Sequence, residues 1–247
     1  MWLFNTLATS FREFSQKDEL PLIISLILVI GFFIYHFTSE YVKKKYSRVN
    51  SFRLHYTYYG YFFQRILGFL TFGLLPSFIF IIYKDQPLTN FGLNLQHITL
   101  SLLWTIGLGA LVSVANFFLA GKKENLRTYP QIRLKIWTPD KLLLNAITWA
   151  LYLLGYEFMF RGLLLFSFYE AYGATIAITI NCIAYALVHI PKGKKETFGS
   201  IPLGILLSII TLQTGSIFVA FWFHVIMALT NDYFAIKAHP SMEVKIK

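Results

Sequence analysis

Cysteine is almost absent from this chain and charge is scarce, acidic groups most of all. The 247 residues contain one cysteine, Cys182, so neither a disulfide framework nor a cysteine metal cluster can form. Charged residues are 14% of the total against 56% apolar, too few to cover the surface of an ordinary soluble domain. Several catalytic signatures are missing too. There is no His-Glu-x-x-His zinc helix, no Gly-x-Gly-Asp pair of intramembrane aspartates, no Gly-x-Ser-x-Gly turn and no phosphate-cradling glycine loop. No secretory signal peptide is read at the N-terminus. The first apolar run starts at Pro21, its flank Arg12 to Glu19 is not net positive, and no small-residue cleavage site follows. No two interrupted spans form an inverted repeat, which disfavours a transporter.

Long apolar runs are what the chain does have, several of them about 17–25 residues, the length that crosses a bilayer. The spans are expected near 21–37, 60–83, 98–120, 142–168, 174–190, 197–212 and 216–236. The fourth is long for one crossing, so its first part to Trp149 is expected to lie obliquely, with the true span from Ala150. Leu3, Phe4, Leu7, Phe11 and Phe14 recur at three- and four-residue spacing, which predicts a short interfacial helix within residues 1–20. Ser200, Gly204 and Ser208, every fourth residue, predict a ridge along which another helix approaches closely. The fold class is therefore all-α: one polytopic integral membrane helix bundle over 1–247, about seven transmembrane helices plus the interfacial one.

A net charge of +10 could signal nucleic acid. The basic residues instead cluster between apolar runs, which is a membrane pattern, and no nucleic-acid partner is expected. Apart from Arg12, Lys17, Lys84 and the in-span Arg65 and Arg161, all of them fall in alternate loops. The positive-inside rule then puts the C-terminus in the cytoplasm and the N-terminus outside. Arg65, near the start of its span, is expected to snorkel to the headgroups, and Trp137 to lie at the interface.

Glu157 and Arg161 lie four residues apart within an apolar stretch, so on a helix they share a face and can touch. An ionisable group at membrane depth costs about 2.5–3.5 kcal/mol on insertion scales, so the pair calls for either a functional site or an internal lock. Asn181, Tyr185 and His189, spaced by four, form one stripe on the next span. His224 and Asn231 share a face of the last one. Taken singly, the asparagines read as inter-helix hydrogen bonds, Tyr185 as core, and each histidine as a packing residue. Together they point to a site in a bundle otherwise free of deep charge.

Three motifs on successive helices carry a resemblance. Tyr156-Glu157-Phe158-Met159-Phe160-Arg161, Tyr185-Ala186-Leu187-Val188-His189 and His224-Val225-Ile226-Met227-Ala228 resemble Glu-Glu-x-x-x-Arg, Phe-x-x-x-His and His-x-x-x-Asn. These belong to the CAAX-protease and bacteriocin-processing family of intramembrane proteases, the group containing the type II CAAX prenyl endopeptidase. The similarity covers residues 141–236. Tyr156 stands where the family has its first glutamate and Ala228 where it has asparagine, so the chain is similar to a single-glutamate branch with a His-x-x-Lys-x-x-x-Glu segment, His189 to Glu196.

The resemblance implies an intramembrane peptidase of the CAAX-processing type. Glu157 and His189 would activate water, His224 would hold the oxyanion and Arg161 would orient the carboxylate. Tyr156, Tyr185, Glu196 and Asn231 are possible auxiliaries, Glu196 as a substitute base if its loop folds back into the cavity. The alternative is a catalytically silent relative, a scaffold or peptide- or lipid-binding subunit of a membrane complex. A zinc site built from Glu157, His189 and His224 is a third reading, although no cofactor or metal is expected. Partners would be membrane lipids with a peptide or lipidated protein substrate, or a membrane-complex subunit, in the bacterial inner membrane.

Overall fold

The computed structural model describes residues 2–47, 53–83 and 87–245, with the side chains of 2–18, 43–47, 53–57, 80–83 and 192 outside that description. Helices make up almost all of it. The first, α1 (Trp2–Ser47), runs unbroken through Pro21. The boundary expected near residue 20 is therefore not a break in the helix, and the side chains that would make the first turns interfacial lie outside the described residues. Next come α2 (Arg53–Phe69), a π-helical turn (Leu70–Leu74) and α3 (Leu75–Tyr83), which form one stretch. A 3-10 turn at Leu88–Phe91 leads to α4 (Ile98–Leu119) and the short α5 (Lys123–Thr128). A second long stretch comprises α6 (Pro139–Glu157), a π-helical turn (Phe158–Leu164) and α7 (Leu165–Tyr172). The chain ends with α8 (Ala174–Leu187), α9 (Lys194–Thr214) and α10 (Phe218–Ala238).

Among the described residues, six helical stretches are long and apolar enough to cross a membrane: Glu19–Val42, Tyr58–Ile79, Ile98–Leu119, Pro139–Tyr172, Lys194–Thr214 and Phe218–Ala238. The chain is an all-α integral membrane bundle. On α4, Leu103, Ile106, Leu111 and Phe118 face outward while Ser101, Thr105 and Gly109 are buried. That inside-out pattern suits lipid, where the outer face must be apolar and small residues let helices close up. The seventh expected span is α8, whose 14 residues measure about 21 Å, short of a hydrocarbon core of about 30 Å.

The reason α8 stops early is local. His189 turns its own ring back, so that Nδ1 lies 2.7 Å from the Tyr185 carbonyl, the acceptor its backbone N–H would use in a continuing α-helix. That N–H bonds instead to Ala186 O, a 3-10 step, and Pro191 cannot extend the helix. Gly193, at φ +102°, then swings the chain into α9, a conformation costly for any residue with a Cβ.

The bundle closes where its two π-helical turns meet. A Cβ on Gly155 would lie 3.1 Å from both Gly73 N and Phe69 Cα, so the backbones of the two stretches touch. Gly155→Val should overpack this crossing by roughly 1–3 kcal/mol and lower the thermal midpoint of the purified protein. An unchanged midpoint would mean that the crossing can spread at no cost. The predicted ridge of Ser200, Gly204 and Ser208 packs on α8: a Cβ at Gly204 would meet the Tyr185 ring at 3.2 Å, and Ser208 Oγ donates to Asn181 Oδ1 at 3.2 Å. Cys182 is buried beside it, as a core residue.

At the start of the fourth span Asn145, Thr148 and Trp149 are buried, so one face of it packs within the bundle. Two details differ from the expectations. Trp137 is fully buried and not interfacial, because β1 (Ile136–Trp137) pairs in parallel with β2 (Glu243–Val244) and folds the tail over it. Arg65 does not snorkel. It is 3% exposed, with Nη1 donating to Asn145 Oδ1 at 2.7 Å and its guanidinium 3.9 Å above the Trp149 ring.

Candidate active site

Glu157 closes α6 and Arg161 lies in the π-helical turn that follows, a geometry often found at functional sites. Both are completely buried. Arg161 Nη1 is 3.4 Å from Glu157 Oε2, and its guanidinium carbon lies 4.0 Å above the Tyr185 ring, where the ring face attracts a cation. The other carboxylate oxygen meets α10, with His224 Nδ1 2.9 Å from Glu157 Oε1. Nδ1 also bonds to Ala220 O at 3.1 Å. With two acceptors facing it, Nδ1 is the nitrogen that carries hydrogen. Nε2 points the other way and lies 2.9 Å from the Tyr185 hydroxyl. The acid of one helix, the imidazole of a second and the phenol of a third thus form one line.

That line ends at a hollow of about 370 Å³. Tyr185, His189 and His224 border it, and so do Tyr156, Glu196 and Asn231. Glu157 and Arg161 do not; they stand behind the wall. Tyr156 and Tyr185, their ring centroids 5.9 Å apart, form part of the screen. His189 packs against both, at 6.5 Å from Tyr156 and 4.5 Å from Tyr185. Asn181, the remaining member of its stripe, donates from Nδ2 to Phe160 O inside the π-helical turn, which leaves it holding backbone and not facing the hollow. Asn231 Oδ1 accepts from Asn125 Nδ2 at 3.1 Å.

Glu196 does fold back. It lies in the first turn of α9, and its Oε1 accepts a hydrogen bond of 3.3 Å from the Tyr129 hydroxyl. Burial, and after it the Glu196 charge, push the Tyr129 phenol well above its ordinary range, so it remains a donor. Glu196 and Tyr129 also border a second, outer hollow of about 550 Å³ edged by Lys122, Lys194 and Lys195. At its rim Lys195 pairs with Glu124, and this hydrogen bond holds the Glu124 carboxyl below its usual range.

No group of three His, Cys, Asp or Glu side chains among the described residues is placed to hold a metal ion. The zinc set of Glu157, His189 and His224 is not assembled: the two histidines border the hollow, while Glu157 is buried behind its wall against His224 Nδ1.

A second ionic cluster was missed in the sequence. Asp232, at 3% exposure, accepts from Trp149 Nε1 at 2.8 Å and Asn145 Nδ2 at 3.2 Å, and Asn145 in turn accepts from Arg65. The bundle is therefore not free of other deep charge. Arg65 was the signal: a guanidinium inside a span needs a carboxylate, and Asp232 was available one residue beyond Asn231.

Residues 138–230 match the family model described as "Type II CAAX prenyl endopeptidase Rce1-like". The resemblance read from the three motifs is supported over that stretch, which holds Glu157, Arg161, His189, Glu196 and His224. No curated protein matches the chain, and no solved structure matches it. The family match suggests CAAX-type intramembrane proteolysis.

Proposed function

We propose that the chain is an intramembrane peptidase of the CAAX-processing type, acting on a peptide or lipidated protein segment that enters from the basic face, which we place on the cytoplasmic side. One observation carries this reading: His189 and His224, from different helices, border a single hollow inside a membrane bundle. Amide hydrolysis needs a water, a group to take its proton and donors facing the oxyanion. His189 would hold the water. The Tyr185 hydroxyl would turn from His224 Nε2, an acceptor while the hydrogen sits on Nδ1, to face the oxyanion, and Asn231 lies on the same wall where Ala228 supplies no amide. Glu157 and Arg161 touch neither water nor substrate, so they are positioning residues: Glu157 fixes which nitrogen of His224 carries hydrogen, and Arg161 balances its charge.

The test is cleavage of a set of prenylated peptides ending in CAAX sequences by the protein in liposomes, with products identified by mass. His189→Ala should lower kcat about 10²-fold in the protein that remains folded. A wild-type protein that cleaves none of them would sink the reading.

A second reading has its own support in the sealed Glu157. Both of its oxygens are taken up, one by the Arg161 guanidinium and one by His224 Nδ1, and Tyr156 occupies the place of a further acid. A silent relative would use the hollow to bind a peptide or lipid. It would retain a labelled peptide without releasing product, and His189→Ala would change retention alone.

A further inference from the structure

Two hollows share a stretch of wall. The inner one holds His189 and His224, the outer one is edged by lysines, and Tyr129 and Glu196 stand in the walls of both. A group that deprotonates water must touch that water. Among the described residues bordering the inner hollow, Glu196 is the sole carboxylate. Glu157 is at 0% exposure behind the wall, while Glu196 is half-buried at the junction through which water would come from the basic face. Lys195, next in sequence, pairs with Glu124.

We propose that Glu196 is the base of the reaction, taking the proton from the attacking water. The inference rests on the peptidase reading and names the catalytic group that reading leaves open. The Glu196 carboxylate accepts one proton as the water oxygen bonds to the peptide carbonyl carbon. The carbonyl π pair moves onto its oxygen, facing the Tyr185 hydroxyl. When that pair returns, the C–N bond breaks, and the proton on Glu196 passes to the departing nitrogen. One water is consumed, an acid and an amine are formed, and nothing is oxidised or reduced. Tyr129 steadies the carboxylate before the first transfer and after the second.

The experiment uses the full chain in liposomes with a prenylated peptide that the wild type cleaves. Glu196→Gln should lower kcat about 10²-fold or more with KM little changed. The residual activity should lose the fall at acid pH that protonation of a carboxylate base produces. Glu196→Asp should recover part of the rate together with that acid limb. If Glu196→Gln does not accumulate, Tyr129→Phe decides: the carboxylate loses the hydroxyl that holds it, so kcat should fall about tenfold with KM little changed. Near-wild-type kcat in Glu196→Gln or in Tyr129→Phe would overturn the inference while leaving the peptidase reading standing. A wild type that cleaves nothing removes both.

Discussion

His224→Ala is expected to reduce turnover about 10³-fold, more than any other single change to the wall of the hollow. The substitution releases the Tyr185 hydroxyl, 2.9 Å from the acceptor Nε2, which then has no fixed direction. Loss of one well-placed oxyanion donor costs about 10²–10³ on its own. The substitution further leaves Glu157 Oε1 without the imidazole 2.9 Å away, so the carboxylate is balanced by Arg161 alone. The readout is kcat against KM for a cleaved peptide, because the peptide should still bind in the hollow. A variant that keeps kcat within a few-fold of the wild type would remove His224 from the chemistry.

Glu157→Gln should act first on stability. It strands the Arg161 guanidinium at 0% exposure with no carboxylate beside it. Breaking one side of a buried ion pair costs about 3–5 kcal/mol, enough to collapse accumulation or the thermal midpoint. The aromatic face of Tyr185, 4.0 Å away, offsets only part of that. Replacing both partners by apolar residues removes the stranded charge, and such swaps are often neutral or stabilising. Glu157→Leu with Arg161→Met should therefore restore the midpoint yet leave turnover low, since only the Ala220 carbonyl then faces His224 Nδ1. Equal melting of Glu157→Gln and the wild type would show that the pair does not hold these helices. A double variant with full turnover would show that Glu157 positions nothing.

Much of the architecture could be read from the residues because lipid tolerates few patterns. Apolar runs located the helices, and the spacing of Glu157 and Arg161 predicted their contact. Ser200, Gly204 and Ser208 marked the face that α8 occupies. Contacts between distant segments were harder. Nothing in the sequence brings His224 Nδ1 to Glu157, and whether the loop of Glu196 folds back depends on the turn at Gly193, which the residues alone do not show. Arg65 was misjudged because a position near a span end looks inexpensive for a charge. Its partners Asn145, Thr148 and Gln131 come from segments that only the fold brings near it. Asp232 was passed over because its neighbour Asn231 had already filled the role of polar residue on that face. The early end of α8 follows from one side chain competing for a backbone acceptor, which no count of apolar residues would find.

The wide turn at Phe158–Leu164 also alters how its neighbours can be deduced. A helical wheel advances about 100° per residue, and it keeps its bearing only while every turn holds 3.6 residues. Each extra residue that a π-helical turn takes up puts the wheel out of phase for everything beyond it. Faces assigned on α6 therefore cannot be extrapolated into α7: Leu165 and Ser167, both buried, owe their direction to that slippage as much as to their own side chains.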